Sequence, residues 1–217
     1  EVSYKENGTI ENFGPKYDDV PATIVRQVVT DMDSAPYPTK MLIPFVRAIQ
    51  DRVVLEIQRG CIRGCRFCQA GMIYRPNREK SIEVLKEQAK ELLEYSGHEE
   101  ISLSSLSSSD YHALPELMEF LINDCLSEGV NVSLPSLRID AFSLDVMNKV
   151  QDVRKSSLTF APEAGSQRMR DVINKGLTVD DIIGGSKMAF EGGWNKVKLY
   201  FMLGLPTETD EDIKASP

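Results

Sequence analysis

From Arg52 onward the chain alternates apolar and polar positions. Val53, Leu55 and Ile57 face one way and Val54, Glu56 and Gln58 the other, a period of two that predicts a strand. Four more short β-type runs follow, at 100–106, 130–134, 157–161 and 196–203. Between them the apolar period lengthens to that of a helix. Ile82, Leu85, Ala89, Leu92 and Leu93 share one face of a helix over 81–96, and Leu117, Leu121 and Cys125 one over 114–128. Leu144, Met147 and Val150 mark a third helix with Ser143 as its cap. Met169, Val172 and Ile173 mark a fourth that stops at Gly176. A fifth starts after Thr178, whose Asp181 three residues on completes a capping-box pattern. Strand and helix thus alternate five times, which predicts an α/β fold with a parallel sheet and right-handed crossovers. Such sheets carry their active sites at the carboxyl ends of the strands.

Residues 1–50 lack this periodicity and are rich in turn residues: Asn7-Gly8, Gly14-Pro15, Pro21, Pro36 and Pro38. An apolar run at 24–29 suits a strand or one helical turn, and 42–49 a short packed element. The expected organisation is a lead-in from a preceding domain over 1–50 and a core over 51–217. Glu1 is no initiator Met and the chain stops at Pro217 soon after a helical start, so a longer parent protein is expected.

Composition narrows this picture only a little. With 41% hydrophobic and 27% charged residues over 217 positions, the chain reads as an ordinary globular core. No apolar run approaches the ~18 residues of a membrane span, and no secretory leader pattern opens the chain, so a cytoplasmic location is expected. A net charge of −8 disfavours a broad nucleic-acid surface.

Chemistry concentrates in residues 58–71, Gln-Arg-Gly-Cys-Ile-Arg-Gly-Cys-Arg-Phe-Cys-Gln-Ala-Gly, directly after the first strand. Cys61, Cys65 and Cys68 can converge on one soft metal centre if the backbone curls around it. Gly60, Gly64 and Gly71 suit the close approach and positive φ that such a loop needs. On the residues alone, three other readings stay open: a buried cysteine stripe on a helix, a structural zinc site, and disulfides. His98 and His112 lie too far along the chain to be obvious zinc ligands. Three thiolates without a neighbouring fourth leave one iron of a four-iron cluster open, as a site for chemistry.

C-x3-C-x2-C with Phe67 before the last Cys resembles the signature of the radical S-adenosylmethionine (SAM) superfamily. The resemblance implies an incomplete TIM-like (β/α) barrel of parallel strands, with about five of six βα units present. It implies a 4Fe-4S cluster held by Cys61, Cys65 and Cys68. SAM bound at the open iron would be cleaved reductively to a 5′-deoxyadenosyl radical that abstracts hydrogen from a substrate.

Further residues extend the resemblance to the branch that includes the MiaB methylthiotransferases and Elongator-type enzymes. Leu203-Gly204-Leu205-Pro206-Thr207-Glu208-Thr209 resembles that branch's turn, with Gly204 shaping the SAM pocket wall and Thr209 capping the next helix. Pro162-Glu163-Ala164-Gly165-Ser166 resembles the stretch after its fourth strand, which implies that Glu163 holds the ribose hydroxyls. Lys175 stands where relatives carry an Arg near the SAM carboxylate, or serves as a helix-end cation. Arg138 ends the third strand, to pair with SAM or with a structural acid. Where relatives carry Gly-Gly-Glu after the second strand, this chain has Ser104-Ser105-Leu106-Ser107, making Ser105 and Ser107 the candidates for the SAM ammonium. Arg59, Arg63, Arg66, Arg75 and Arg78 form a basic cluster, suited to a low-potential flavodoxin or ferredoxin donor or simply solvated. Cys125 reads as a buried free thiol.

The serine-rich second strand and the Pro-Glu-Ala-Gly-Ser turn look closest to relatives fused to a cobalamin-binding-like domain, so fused or neighbouring domains are expected partners. Two alternatives are a methylthiotransferase acting on tRNA or ribosomal protein and a non-catalytic iron–sulfur or zinc scaffold. If the last βα unit is trimmed, an unpaired sheet edge predicts marginal stability or association.

Overall fold

The computed structural model describes residues 1–46, 48–125, 129–133, 137–140 and 158–216. It divides into two compact units, Glu1–Thr30 and Asp31–Pro217.

In the first unit, β1 (Val2–Tyr4) and β2 (Ile10–Phe13) pair antiparallel around the Asn7-Gly8 turn. The Asn7 carboxamide oxygen accepts from the amide and hydroxyl of Thr9 at 3.1 and 2.7 Å. This hairpin was not expected from the pattern, because both of its faces are exposed and no apolar face marks its period. The apolar run at 24–29 forms neither the strand nor the helical turn expected of it, being too short to nucleate a helix alone.

The second unit follows the βα alternation. Its elements in order are β3 (Val53–Glu56), β4 (Gln58–Arg59), α1 (Gln69–Ile73), β5 (Arg78–Glu79), α2 (Ile82–Ser96) and β6 (Glu100–Ser104). Then come α3 (Leu114–Phe120), which runs into a single π turn (Leu121–Cys125), β7 (Asn131–Ser133) and β8 (Leu158–Glu163). The chain continues through α4 (Gln167–Val172), α5 (Val179–Glu191), β9 (Val197–Phe201) and α6 (Asp210–Lys214). The five strands expected from periodicity are β3, β6, β7, β8 and β9. Those described pair in parallel, β3–β6–β7 in one sheet and β8–β9 in another. The helix expected from Leu144, Met147 and Val150 lies outside the described residues, as does the side chain of Cys125.

The alternation decides what is buried. Val53, Leu55, Ile101, Leu103 and Val132 turn one sheet face onto Leu85, Ala89 and Leu92 of α2 and Leu117 and Met118 of α3. Leu158 and Phe160 pack with Ala189 and Trp194 in a second core. Each fully buried aliphatic side chain of this kind stabilises the fold by about 1.5–3 kcal/mol. Ser81 caps α2 by accepting from the Val84 amide, and Thr178 with Asp181 makes the full capping box anticipated for α5.

Tyr37 seals the outer edge of β3. Its hydroxyl donates to the Val54 carbonyl at 2.6 Å and accepts from the Glu56 amide at 3.2 Å. The packed element expected at 42–49 is absent: Leu42, Phe45 and Ile49 are fully exposed. Tyr37 and Met41 already occupy that side of the core, and Pro44 breaks the helical pattern beyond them.

Candidate functional site

The loop carrying the three cysteines leaves β3 at its carboxyl end and is closed at its stem. β4 pairs antiparallel with β5, Gln58 opposite Glu79 and Arg59 opposite Arg78. The Lys80 amide extends this ladder onto the Ile57 carbonyl at 3.0 Å. Two-residue strands have no readable period, so this ribbon was invisible in the sequence. It makes residues 60–77 one excursion with a fixed base.

Within it all three thiols are free, Cys65 buried and Cys61 and Cys68 half-buried. The Arg63 amide points at Cys61 Sγ at 3.4 Å. The Gly71 amide points at Cys68 Sγ at 3.3 Å, so Cys68 caps α1. Only Cys68 adjoins a helix, and the helix-stripe reading therefore fails. Backbone N–H groups aimed at sulfur are hydrogen bonds of the kind that iron–sulfur cluster ligands accept. The loop offers three thiols and no fourth ligand of its own, whereas a structural zinc ion needs four. In a four-iron cluster each thiolate takes a different iron, and three of them leave one iron open. The donor set fits such a cluster better than it fits zinc.

The three glycines of the motif do different work. Gly60 alone has a positive φ, +96°, and a Cβ there would stand 2.7 Å from the Tyr74 and Pro76 carbonyl oxygens. Gly64 makes room for Asn174, and Gly71 sits inside α1 in ordinary contact with Cys68.

Around the loop, side chains from the ends of four parallel strands form one polar chain. Arg63 makes a two-pronged pair with Asp110 at 3.0 and 2.5 Å and reaches Asp140 at 3.6 Å. Arg138 pairs with Asp140 at 2.9 and 3.0 Å and donates to the Lys175 carbonyl at 3.4 Å. Lys175 Nζ donates to Glu163 Oε1 at 3.2 Å and lies 5.7 Å from the centre of the Phe67 ring. Phe67, Arg138, Glu163 and Lys175, chosen separately from sequence, are thereby brought together. Burial opposes ionisation of Asp110, but hydrogen bonds from Arg63 and Ser107 outweigh it and hold its carboxyl below the usual range.

Glu163 ends β8 with a φ of +70°, where the β8–β9 register slips. A non-glycine residue held in the left-handed region marks a conformation imposed by its surroundings, a frequent feature of binding sites. Buried Arg170 fixes those surroundings. It donates to the carbonyls of Ala164, Gly165 and Leu177 and to the side chain of Gln167, with distances of 2.8–3.0 Å.

The two serine candidates part company. Ser107 is 2% exposed and its hydroxyl donates to Asp110 at 2.8 Å, so it holds that carboxylate rather than facing a ligand. Ser105 pairs with Ser108 at 3.0 Å and lines a cavity of 340 Å³ with Glu56, Gln58, Gly60 and Tyr74. Gln58, which the sequence did not single out as functional, is buried there. Its Nε2 donates to the Ser107 carbonyl at 2.6 Å, while its Oε1 has no partner among the described residues. An orphaned buried acceptor of this kind suits a ligand donor group.

Gly204, with a φ of +79°, is tied to Glu208, whose carboxylate accepts from the Gly204 and Leu205 amides at 2.6 and 3.3 Å. Thr209 and Asp212 form the capping box of α6. Asp212 also accepts from Arg168 and, at 2.6 Å, from Ser166, so the two downstream motifs are pinned to each other. Hydrogen bonds from Arg168, then Ser166, hold the Asp212 carboxyl well below the usual range.

The basic cluster is knitted into the fold. Arg59 pairs with Glu56 and Arg63 with Asp110, while Arg66 donates to Val172, Arg75 to Arg63, and Arg78 to Tyr74 and Pro76 carbonyls. Among the described residues no helix is long and apolar enough to cross a membrane.

Comparison with known proteins agrees with this geometry. The family model described as the radical SAM superfamily matches residues 55–216. An uncharacterised protein of Methanocaldococcus jannaschii is 42% identical over 161 residues, covering 74% of this chain and 35% of its own length. The chain thus spans about a third of that relative. Among solved structures, the radical SAM methyltransferase TsrM of Kitasatospora setae, with tryptophan and a SAM analogue bound, superposes with a TM-score of 0.60 at 13% identity. The match covers 76% of this chain and 32% of TsrM. The cobalamin-dependent SAM radical enzyme OxsB, with aqua-cobalamin and SAM bound, gives 0.61 at 16% identity, covering 75% and 25%. The fold is of the TIM-like (β/α) barrel kind, its described parallel strands forming the sheets β3–β6–β7 and β8–β9.

Proposed function

Because this chain belongs to the radical SAM superfamily, we propose that Cys61, Cys65 and Cys68 hold a 4Fe-4S cluster and that the polar chain beside them holds SAM at its open iron. When bound, the cluster supplies the electron that cleaves SAM to methionine and a 5′-deoxyadenosyl radical. The observation that carries this reading is the cysteine loop itself. Three free thiols sit on one stem-closed excursion at the end of β3, and two of them face backbone amides.

The chain's own residues divide the work of binding. Ser105 and the free Oε1 of Gln58 accept from the SAM ammonium. Lys175 and Arg138 offer positive charge to its carboxylate. Glu163, already oriented by Lys175, accepts from the ribose hydroxyls. Phe67 lies beside the Lys175 ammonium at the edge of this chain, and Gly204 shapes the far wall. The βα core lies within the unit Asp31–Pro217, with Tyr37 and Met41 packed against it. Other domains of a longer protein choose the substrate, and a low-potential flavodoxin- or ferredoxin-type protein delivers the electron.

The test is anaerobic reconstitution with iron and sulfide, reduction with dithionite and addition of SAM. Release of 5′-deoxyadenosine and methionine, abolished in Cys61→Ala, is expected. A well-reconstituted cluster whose electron paramagnetic resonance signal is unmoved by SAM would overturn the reading.

A further inference from the structure

The stem of the cysteine loop is closed by β4 and β5, but its tip is held from elsewhere. The Asn174 carboxamide donates through Nδ2 to the Gly64 carbonyl at 2.8 Å, across 110 residues of sequence. The Arg66 amide donates to the Ile173 carbonyl at 2.9 Å, and the Arg66 guanidinium to the Val172 carbonyl at 2.6 Å. All three partners lie at the carboxyl end of α4, the helix whose start and finish buried Arg170 fixes. Asn174 itself has a φ of +53°, a conformation Asn tolerates better than most residues. The fit is close: a Cβ on Gly64 would stand 2.9 Å from Asn174 Nδ2, the one neighbour in its way among the described residues.

From these contacts we infer that Asn174 is a positioning residue, a latch that holds the segment between Cys61 and Cys65 in its metal-binding shape before any cluster arrives. The inference rests on the proposed cluster site, but the latch itself belongs to the cluster-free chain. Ordering a loop in advance removes from metal capture the entropy of ordering it then. An unlatched loop would have to be organised by the cluster, which would bind more weakly and be lost faster.

Asn174→Gly removes the carboxamide while keeping the left-handed backbone accessible, so it separates the latch from the turn. In the full chain without metal, amide hydrogen exchange over residues 61–66 is expected to rise about three- to ten-fold, the range of one lost hydrogen bond. Exchange in α2 and α5 should be unchanged. After reconstitution, iron loss to a chelator should quicken by a similar factor in a protein that stays folded at the assay temperature. Gly64→Ala should show the same loop defect through its clash with Nδ2. Gly64→Ala with Asn174→Gly should be no worse than Asn174→Gly alone, since the obstructing atom is gone.

Exchange and iron retention unchanged in a folded Asn174→Gly protein would overturn the latch. So would fully additive defects in the double variant. Should the wild-type chain load no cluster, the proposed function fails, while the exchange arm still decides the latch.

Discussion

Arg63 and Asp110 face each other fork to fork at 3.0 and 2.5 Å, joining the cysteine loop to the turn after the second parallel strand. The Asp110 side chain is only 6% exposed and that of Arg63 33%. A paired carboxylate so placed is stabilising only while its partner remains.

Arg63→Leu is therefore expected to destabilise the cluster-free chain by about 2 kcal/mol, because it leaves Asp110 buried with only Ser107 and a longer electrostatic reach to Arg138. Urea unfolding checks this. Asp110→Asn adds a pH signature. The Asp110 carboxyl is lowered in the fold, so its contribution is fully present above the unfolded carboxylate value of about 4. It is lost as pH falls through the lowered folded value. The stability gap between wild type and Asp110→Asn should thus be constant near neutrality and shrink below about pH 4.

Lys80 is 1% exposed, donates to Gln88 Oε1 at 2.9 Å and lies 3.7 Å from the centre of the Tyr37 ring. Burial lowers its pKa, so the unfolded chain binds the proton more tightly than the fold does. Wild-type stability should therefore rise as pH climbs from the lowered folded value towards the unfolded value of about 10.4. Lys80→Met should flatten that rise in denaturant titrations. An unchanged slope would show that Lys80 keeps its proton as readily in the fold as outside it.

Gly60→Ala should be far more damaging than Gly71→Ala, although both alter the same motif. The first forces a side chain against two backbone carbonyl oxygens at positive φ, and a loss of about 3 kcal/mol or failure to load iron is expected. The second adds a methyl at an ordinary contact distance inside a helix and should leave unfolding within about 1 kcal/mol of wild type. Unfolding curves and iron content of the two variants decide it.

Glu163→Gln keeps the shape of the side chain but releases Lys175 from its ion pair. SAM affinity, read from the shift of the cluster's paramagnetic signal, is expected to fall about ten-fold, the range of one charge-assisted hydrogen bond. Cluster content should not change.

Much of this molecule was written locally. Alternating Val53, Leu55 and Ile57 marked a strand because one face had to be buried. Thr178 with Asp181, and Thr209 above Asp212, marked helix starts because a cap is satisfied within four residues. The cysteine triplet was legible for the same reason, since its spacing is its chemistry. The hairpin in the first thirty residues and the two-residue ribbon at the loop's stem were not legible, having no buried face and no length to show a period.

The sequence by itself thus determined the parallel βα plan and marked three clustered thiols, with several side chains beside them, as a candidate site. Tertiary structure alone decided which side chains meet. It turned Ser107 onto Asp110, left Gln58 Oε1 without a partner among the described residues, and set Asn174 against Gly64. Those contacts span tens to more than a hundred residues, and they are chosen by how the strands and helices pack. A strand or helix start announces itself through neighbours in sequence, whereas a latch exists only once distant backbone has been brought within hydrogen-bond reach.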